Sequence, residues 1–244
     1  MSAPLHVAAW SGPRNISTAM MRAWENRGDC WVIDEPLYAH YLDQTGLDHP
    51  GREQVIAAGE RDWRKVAQQL TGPLPAGAAL SYQKHMTHHL LPQIGRDWLR
   101  RLTHVFLIRD PRRVLASYIK SRPNVVAADL GLLQQYEIYE FVCAAGAADP
   151  PVIDAGEFLR APEAQLRVLC ERLGLEFTPR MLHWPAGPRS SDGVWAPYWY
   201  EQVYRSTGFE AAPEVEPRVP PELNALVEQL MPSYEALFAR RLRT

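Results

Sequence analysis

The sequence predicts an α/β fold, a three-layer α/β/α arrangement with a central parallel sheet and a helical C-terminal part. Short apolar runs rich in β-branched and aromatic residues alternate with segments of helical periodicity. Polar residues suited to anion chemistry, Arg14, Glu35, Lys84, His85 and Arg109, each follow a run that reads as a strand. Open parallel sheets bind ligands beyond the carboxyl ends of their strands, so this placement points to one site. The 244 residues, 46% of them apolar, suffice for one α/β domain with a sizeable core.

Leu5 to Trp10 reads as the first strand and Ile16 to Asn26 as the helix after it. Cys30 to Asp34 is a second short strand that stops at Glu35-Pro36. Over residues 52–70, Val55, Ile56, Trp63, Val66 and Leu70 recur at helical spacing, and Pro73, Pro75 and Gly77 end the pattern. Ala78 to Gln83 is a third strand leading into Lys84-His85, and Thr103 to Ile108 a fourth that stops at Arg109-Asp110-Pro111. Pro111 opens a helix to about Ser121, since proline is tolerated in a first turn. Residues 130–146 read as helix, Pro151 to Ala155 as the last strand, and Pro162 to Leu173 as a helix stopped by Gly174. Residues 183–221 form a lid or loop region holding the aromatic stretch Trp195 to Tyr204. Leu223 to Leu242 make a final amphipathic helix within the tail 222–243. Neither a repeat nor a strong linker divides the chain, so residues 1–244 read as one domain.

Gly12-Pro13-Arg14-Asn15-Ile16-Ser17-Thr18 carries the first chemical signal. A helix N-terminus leaves N–H groups unpaired and carries partial positive charge, which favours anions. Arg14, Ser17 and Thr18 add a guanidinium and two hydroxyls there, so the turn suits a phosphate-like or sulfate-like group. The plain alternative is a strand-turn-helix with an ordinary hydroxyl cap. No Gly-Lys-Ser/Thr ending follows, so this is not a Walker A loop.

A formal charge of −2 argues against broad nucleic-acid binding or attraction to anionic membranes. Lysine occurs only at positions 65, 84 and 120, leaving arginine as the main cation, which suits fork-like oxyanion recognition. Cys30, Cys143 and Cys170 lie far apart without metal-ligand spacing and predict a reduced, cytoplasmic setting. No apolar run is long enough to cross a bilayer, and the N-terminus lacks the pattern of a signal peptide.

Three segments together resemble sulfotransferases that use 3′-phosphoadenosine 5′-phosphosulfate (PAPS). Residues Gly12 to Thr18 resemble the family's 5′-phosphosulfate loop. Phe106-Leu107-Ile108-Arg109-Asp110-Pro111-Arg112-Arg113-Val114-Leu115-Ala116-Ser117-Tyr118 resembles its 3′-phosphate motif, with Arg109 at the strand end and Ser117 eight residues on. Ile153 to Leu159, Pro162-Glu163 and Leu169 to Leu175 resemble a later family segment. The resemblance implies a P-loop NTPase-like sulfotransferase fold, PAPS as sulfuryl donor without a metal, and a small-molecule acceptor. It also implies donor binding by Gly12, Pro13, Arg14, Asn15, Ile16, Ser17, Thr18, Arg109 and Ser117. Two departures stand out. Asn15-Ile16 replaces a usual Ser-Gly, although glycine permits conformations that isoleucine does not. The family's late Arg-Lys-Gly turn has no clean counterpart, with Arg189 to Trp195 the nearest candidate.

Sulfuryl transfer is an in-line displacement catalysed chiefly by positioning and electrostatics, as phosphoryl transfer is. Arg14 and Lys84 are the cations expected on the transferring group, and the acceptor needs a base. Glu35 is the first candidate, since Asp34-Glu35-Pro36-Leu37-Tyr38 resembles the Glu-Pro segment of bacterial and carbohydrate sulfotransferases. His85 is the rival, beside Lys84 and close to His88 and His89. Trp24, Trp31, Trp63, Tyr82, Tyr136 and the Trp195–Tyr204 group are candidates for core or acceptor pocket. Three other readings stay open: a P-loop-like small-molecule kinase, a non-catalytic nucleotide-binding protein on the same fold, and a pyridoxal-phosphate aminotransferase. The last would use Lys84 or Lys120, and length and topology fit it poorly.

Overall fold

A computed structural model describes residues 4–120, 122, 124–211 and 216–244. Five parallel strands, β1 (Leu5–Ser11), β2 (Cys30–Asp34), β3 (Leu80–Met86), β4 (Thr103–Ile108) and β5 (Val152–Asp154), lie in the order β2-β3-β1-β4-β5. The sheet is parallel and buried on both faces because helices connect the strands.

Alternation along the strands divides the core. On β1, Val7 and Ala9 face Met20, Met21 and Trp24 of α1 (Ser17–Glu25), while Ala8 and Trp10 face the opposite layer. The first layer also holds α8 (Ala155–Arg160) and α9 (Pro162–Arg172), through Phe158, Leu166 and Leu169. The second holds α4 (Trp63–Leu70), α5 (Pro111–Tyr118), α7 (Leu132–Ala144) and α12 (Asn224–Phe238). A third cluster joins α2 (Tyr38–Thr45) and α3 (Arg52–Ala58) to α10 (Ala196–Trp199) and to Tyr200, which leads into α11 (Glu201–Arg205).

Several sequence expectations need correction. The helix expected over 52–70 is two helices. Gly59 is extended, the Glu60 carboxylate accepts from the Asp62 N–H, and Asp62 caps α4 through the Arg64 N–H. The helix expected over 130–146 is α6 (Ala127–Leu130) followed by α7, because Gly131 is left-handed at φ 66°. A Cβ at Gly131 would lie 2.3 Å from the Thr87 hydroxyl, so the break is also a close approach. Strand β3 continues to Met86, which places Lys84 and His85 inside the sheet rather than after it. The last helix stops at Phe238, and the Leu242 N–H then donates to the Val152 carbonyl beside β5. Helix α2 escaped the sequence reading because Tyr38–Thr45 is too short for a clear period. The end expected at Ser121 falls outside the described residues.

Residues 189–193 are pinned to the sheet layer. Arg22, 1% exposed, bonds Asp192 at 2.7 and 2.8 Å, the Ser191 hydroxyl donates to Glu25, and the Gly193 N–H donates to Asp34. This loop, the nearest candidate for the family's late Arg-Lys-Gly turn, braces the sheet layer. Removing one partner of a buried ion pair leaves an unmatched charge in a medium that solvates it poorly. Asp192→Ala is therefore expected to lower unfolding free energy by about 3 kcal/mol in urea denaturation, whereas exposed Glu201→Ala stays within roughly 0.5 kcal/mol.

Candidate active site

The carboxyl ends of β1, β2, β3 and β4 open onto a cleft of about 350 Å³. One end is built by the β1–α1 turn. Arg14 carries the left-handed conformation of this turn, at φ 55°, and Ile16 sits at an ordinary φ of −82°. The Asn15-Ile16 departure therefore places no demand for glycine at Ile16. Asn15 holds the turn itself, donating to the Leu107 carbonyl at 2.8 Å and accepting from the Ile16 N–H at 2.8 Å. Among the described residues no side chain caps α1, so its first N–H groups, with Ser17 and Thr18, are left for an outside acceptor. Pro13 and Asn15 to Thr18 line the cleft. Gly12 does not line it. A Cβ there would meet the Leu130 carbonyl at 2.2 Å, so its bare backbone serves packing.

The two motif arginines meet here. Arg109 donates to the Arg14 carbonyl at 2.6 Å, and Arg14 Nε donates to the Ser117 hydroxyl at 3.1 Å. Asp110 pairs with Arg112 and caps α5, so it is not the partner of Arg109. Burial first, then the charges of Arg113 and Arg14, pull the Arg109 pKa down, as expected for cations gathered without enough counter-charge.

The other end is built on Lys84. Leu80, Tyr82 and Lys84 share one face of β3, and Asp34 of β2 is the register partner of Lys84. The Lys84 ammonium, on a residue only 1% exposed, donates to Asp34 at 2.9 Å, Glu35 at 2.5 Å and the Tyr200 hydroxyl at 2.6 Å. Burial alone would discharge it, but Asp34 and Glu35 outweigh burial and hold its pKa well above the ordinary value. Tyr200 accepts from Lys84 and Trp195 and donates to Asp34 at 2.7 Å. Glu35, left-handed at φ 39°, has its carboxyl pushed above the usual range by burial, against the pull of Lys84. Asp34 and Tyr200 are members of this centre that the sequence reading did not single out. A lysine in phase with Leu80 and Tyr82 was the available signal, since a buried ammonium requires buried carboxylates.

Around Glu35 stands a wall of rings. Tyr38 stacks on His89 with centroids 4.6 Å apart, donor and acceptor of the Tyr38–His49 contact are 2.9 Å apart, and His88 meets His89 edge-on. Burial pushes His49 down to about 4 and His88 down to about 3, and holds His89 well below its usual value. His85 points the other way. It stacks on Trp10 at 4.3 Å, bonds Gln83, and does not line the cleft. The expectation that His85 rivals Glu35 is corrected by strand parity, because Lys84 and His85 project from opposite faces. Of the aromatic candidates, Trp199 and Tyr200 line the cleft, while Trp24 and Tyr82 stack on each other in the core.

The fold and this cleft define a class. The chain matches the sulfotransferase domain family over residues 5–241 and belongs to it. Among solved structures, it is similar in fold to the sulfotransferase domain of the curacin biosynthetic pathway, with TM-score 0.55 and 14% identity over 95% of this chain and 99% of that one. It is also similar to a sulfotransferase from Alicyclobacillus acidocaldarius, with TM-score 0.57 and 13% identity over 99% and 98% of the two chains. Two Arabidopsis thaliana relatives are much nearer in sequence. Branched-chain-amino-acid aminotransferase-like protein 2 is 38% identical over 95% of this chain and 41% of its own length. Branched-chain-amino-acid aminotransferase-like protein 1 is 39% identical over 97% and 42%. The chain thus spans about two fifths of the curated relatives it matches.

The buried imidazoles set a pH dependence. His49, His85, His88 and His104 have folded-state values of about 4, 3, 3 and 4, below the ordinary 6.5. The unfolded chain therefore binds more protons between those values and 6.5, and stability falls as pH drops through that window. Urea midpoints are expected to decline steeply from pH 7 to pH 5, each imidazole contributing up to about 2 kcal/mol. His85→Phe flattens the decline.

Proposed function

We propose that the chain transfers the sulfuryl group of PAPS to a hydroxyl or amine of a small-molecule acceptor. One observation carries this reading. A single cleft joins an uncapped helix N-terminus with Arg14, Arg109 and Ser117 at one end to the Glu35–Lys84 pair at the other. The first end suits a donor with two anionic groups. Arg14, Ser17, Thr18 and the α1 N–H groups would take the 5′-phosphosulfate, and Arg109 with Ser117 the 3′-phosphate. Pro13, Asn15 and Ile16 would shape that turn. The second end suits the acceptor. Glu35 would accept the nucleophile's proton, burial making its carboxylate more basic than an exposed one. Lys84 would place fixed positive charge beside the transferring group without reorganising.

The competing readings lack comparable support. The kinase reading asks for a P-loop lysine-hydroxyl ending that the β1–α1 turn does not have. A Schiff base at Lys84 would need a free amine, whereas this ammonium is buried and bound by three partners. The names of the plant relatives are thus no reason to propose transamination for this chain. A non-catalytic nucleotide-binding role would not account for a carboxylate beside a buried ammonium opening onto the same cleft.

Calorimetry with 3′-phosphoadenosine 5′-phosphate (PAP), AMP and ATP–Mg²⁺ tests the donor site. PAP is expected to bind at least tenfold more tightly than AMP, and Arg109→Ala to remove most of that margin. Glu35→Gln is expected to keep PAP binding while turnover falls at least a hundredfold. Preference for ATP–Mg²⁺, or an Arg109→Ala variant with unchanged PAP affinity, would overturn the assignment.

A further inference from the structure

The charges at the acceptor end identify what that end is built to hold, given the sulfuryl-transfer reading on which this inference rests. Four charged side chains line the cleft there. Glu35 and Lys84 satisfy each other, but Arg122 and Asp129 do not. Arg122 donates to the Asp48 carbonyl at 3.2 Å, and Asp129 accepts from the Val126 N–H at 2.9 Å. Both contacts are to uncharged backbone, and neither residue is in an ion pair among the described residues. The two nevertheless belong to one mouth, because the fields of both reach Tyr41, His49 and Tyr118. Arg122 also lies 6.0 Å over the ring of Trp199, another wall of the cleft.

Along with these charges the same lining carries rings, and Tyr38 among them lies within reach of the fields of both Glu35 and Arg122. The imidazoles of His49, His88 and His89 are uncharged at neutral pH, so none of them cancels Asp129 or adds to Arg122. Tyr38 supplies a further flat wall. An acceptor entering here meets uncharged ring faces, one cation and one anion. A ligand bearing only an acid would cover Asp129 without a partner, and one bearing only an amine would do the same to Arg122. Each arrangement desolvates a charge without replacing its hydrogen bonds. An amino-acid head carries both charges on one carbon and meets both side chains at once.

We propose that the acceptor is a hydroxyl-bearing amino-acid zwitterion, its carboxylate on Arg122, its ammonium near Asp129 and its hydroxyl at Glu35. Asp129 keeps the amine protonated and so directs the reaction to oxygen. In the transfer, the hydroxyl oxygen bonds to sulfur and its proton passes to the Glu35 carboxylate. The bond from sulfur to the 5′-phosphate oxygen breaks, and its electron pair leaves on PAP. The product is an amino-acid O-sulfate.

Tyrosine and homoserine, as phenolic and aliphatic members of this class, are tested with PAPS and the full chain, following PAP release. Tyramine, 4-hydroxyphenylpropionate and p-cresol keep the phenol while deleting the carboxylate, the ammonium and both. At least one zwitterion is expected to exceed its charge-deleted analogues tenfold or more in kcat/KM. Arg122→Gln is expected to erase the advantage over the amine, and Asp129→Asn the advantage over the acid, in variants that still bind PAP by calorimetry. Equal turnover of p-cresol or of either single-charge analogue overturns the proposal while leaving sulfuryl transfer standing. So does failure of both zwitterions either to react or to raise the melting temperature of the PAP complex. Absence of PAP binding by the unmodified chain would instead remove the sulfuryl-transfer reading, and the acceptor assignment with it.

Discussion

The buried ammonium of Lys84 organises this molecule. A charge so far from water is tolerable only if opposite charges and hydrogen-bond acceptors surround it, and here they come from three separate parts of the chain. Asp34 is its neighbour across the sheet, Glu35 follows from the strand end, and Tyr200 arrives from the C-terminal third. Meeting that requirement fixes where β2 ends, how Glu35 turns into the cleft and where the aromatic segment must lie. The demand of one cation thereby becomes the geometry of a site.

The opposite end of the cleft follows a different rule. There the positive groups are gathered with too little negative charge: an uncapped helix start, Arg14 and Arg109. The contacts present are contacts of alignment. Arg109 holds the Arg14 carbonyl, Arg14 holds Ser117, and Asn15 ties the turn to β4. The Lys84 centre is electrostatically complete in itself, whereas the Arg14–Arg109 end gathers positive charge that an anion would balance.

Much of the frame was legible in the chain. The second strand, Cys30 to Asp34, and the fourth, Thr103 to Ile108, have the bounds that composition and punctuation suggest, because continuous β-branched runs between breakers leave little else. The Arg109–Ser117 spacing was readable as a strand end followed by about two helical turns, and both side chains line the cleft and bond Arg14. The centre around Lys84 was less so. Asp34 and Tyr200 lie 50 and 116 positions from Lys84, and nothing local in either sequence context marks them as its partners. The extent of β3 also mattered. Ending the strand at Gln83 leaves Lys84 and His85 as neighbours in a loop with similar reach, whereas extending it to Met86 sends them to opposite layers. The split of residues 52–70 was hidden because Val55 and Val66 keep a common helical phase across the break at Gly59 to Asp62.

The alternation along β3 also restricts how such a site can change over time. Lys84 and His85 occupy adjacent codons, yet a histidine cannot be moved from core to cleft by substituting what surrounds it. Exchanging their faces takes an odd shift in the reading of the strand, by a single-residue insertion or deletion upstream, and that same shift would turn Leu80 and Tyr82 out of the packed layer they share with α1. Position 84 therefore stays on the cleft face and position 85 on the core face for as long as β3 keeps its register with β1 and β2.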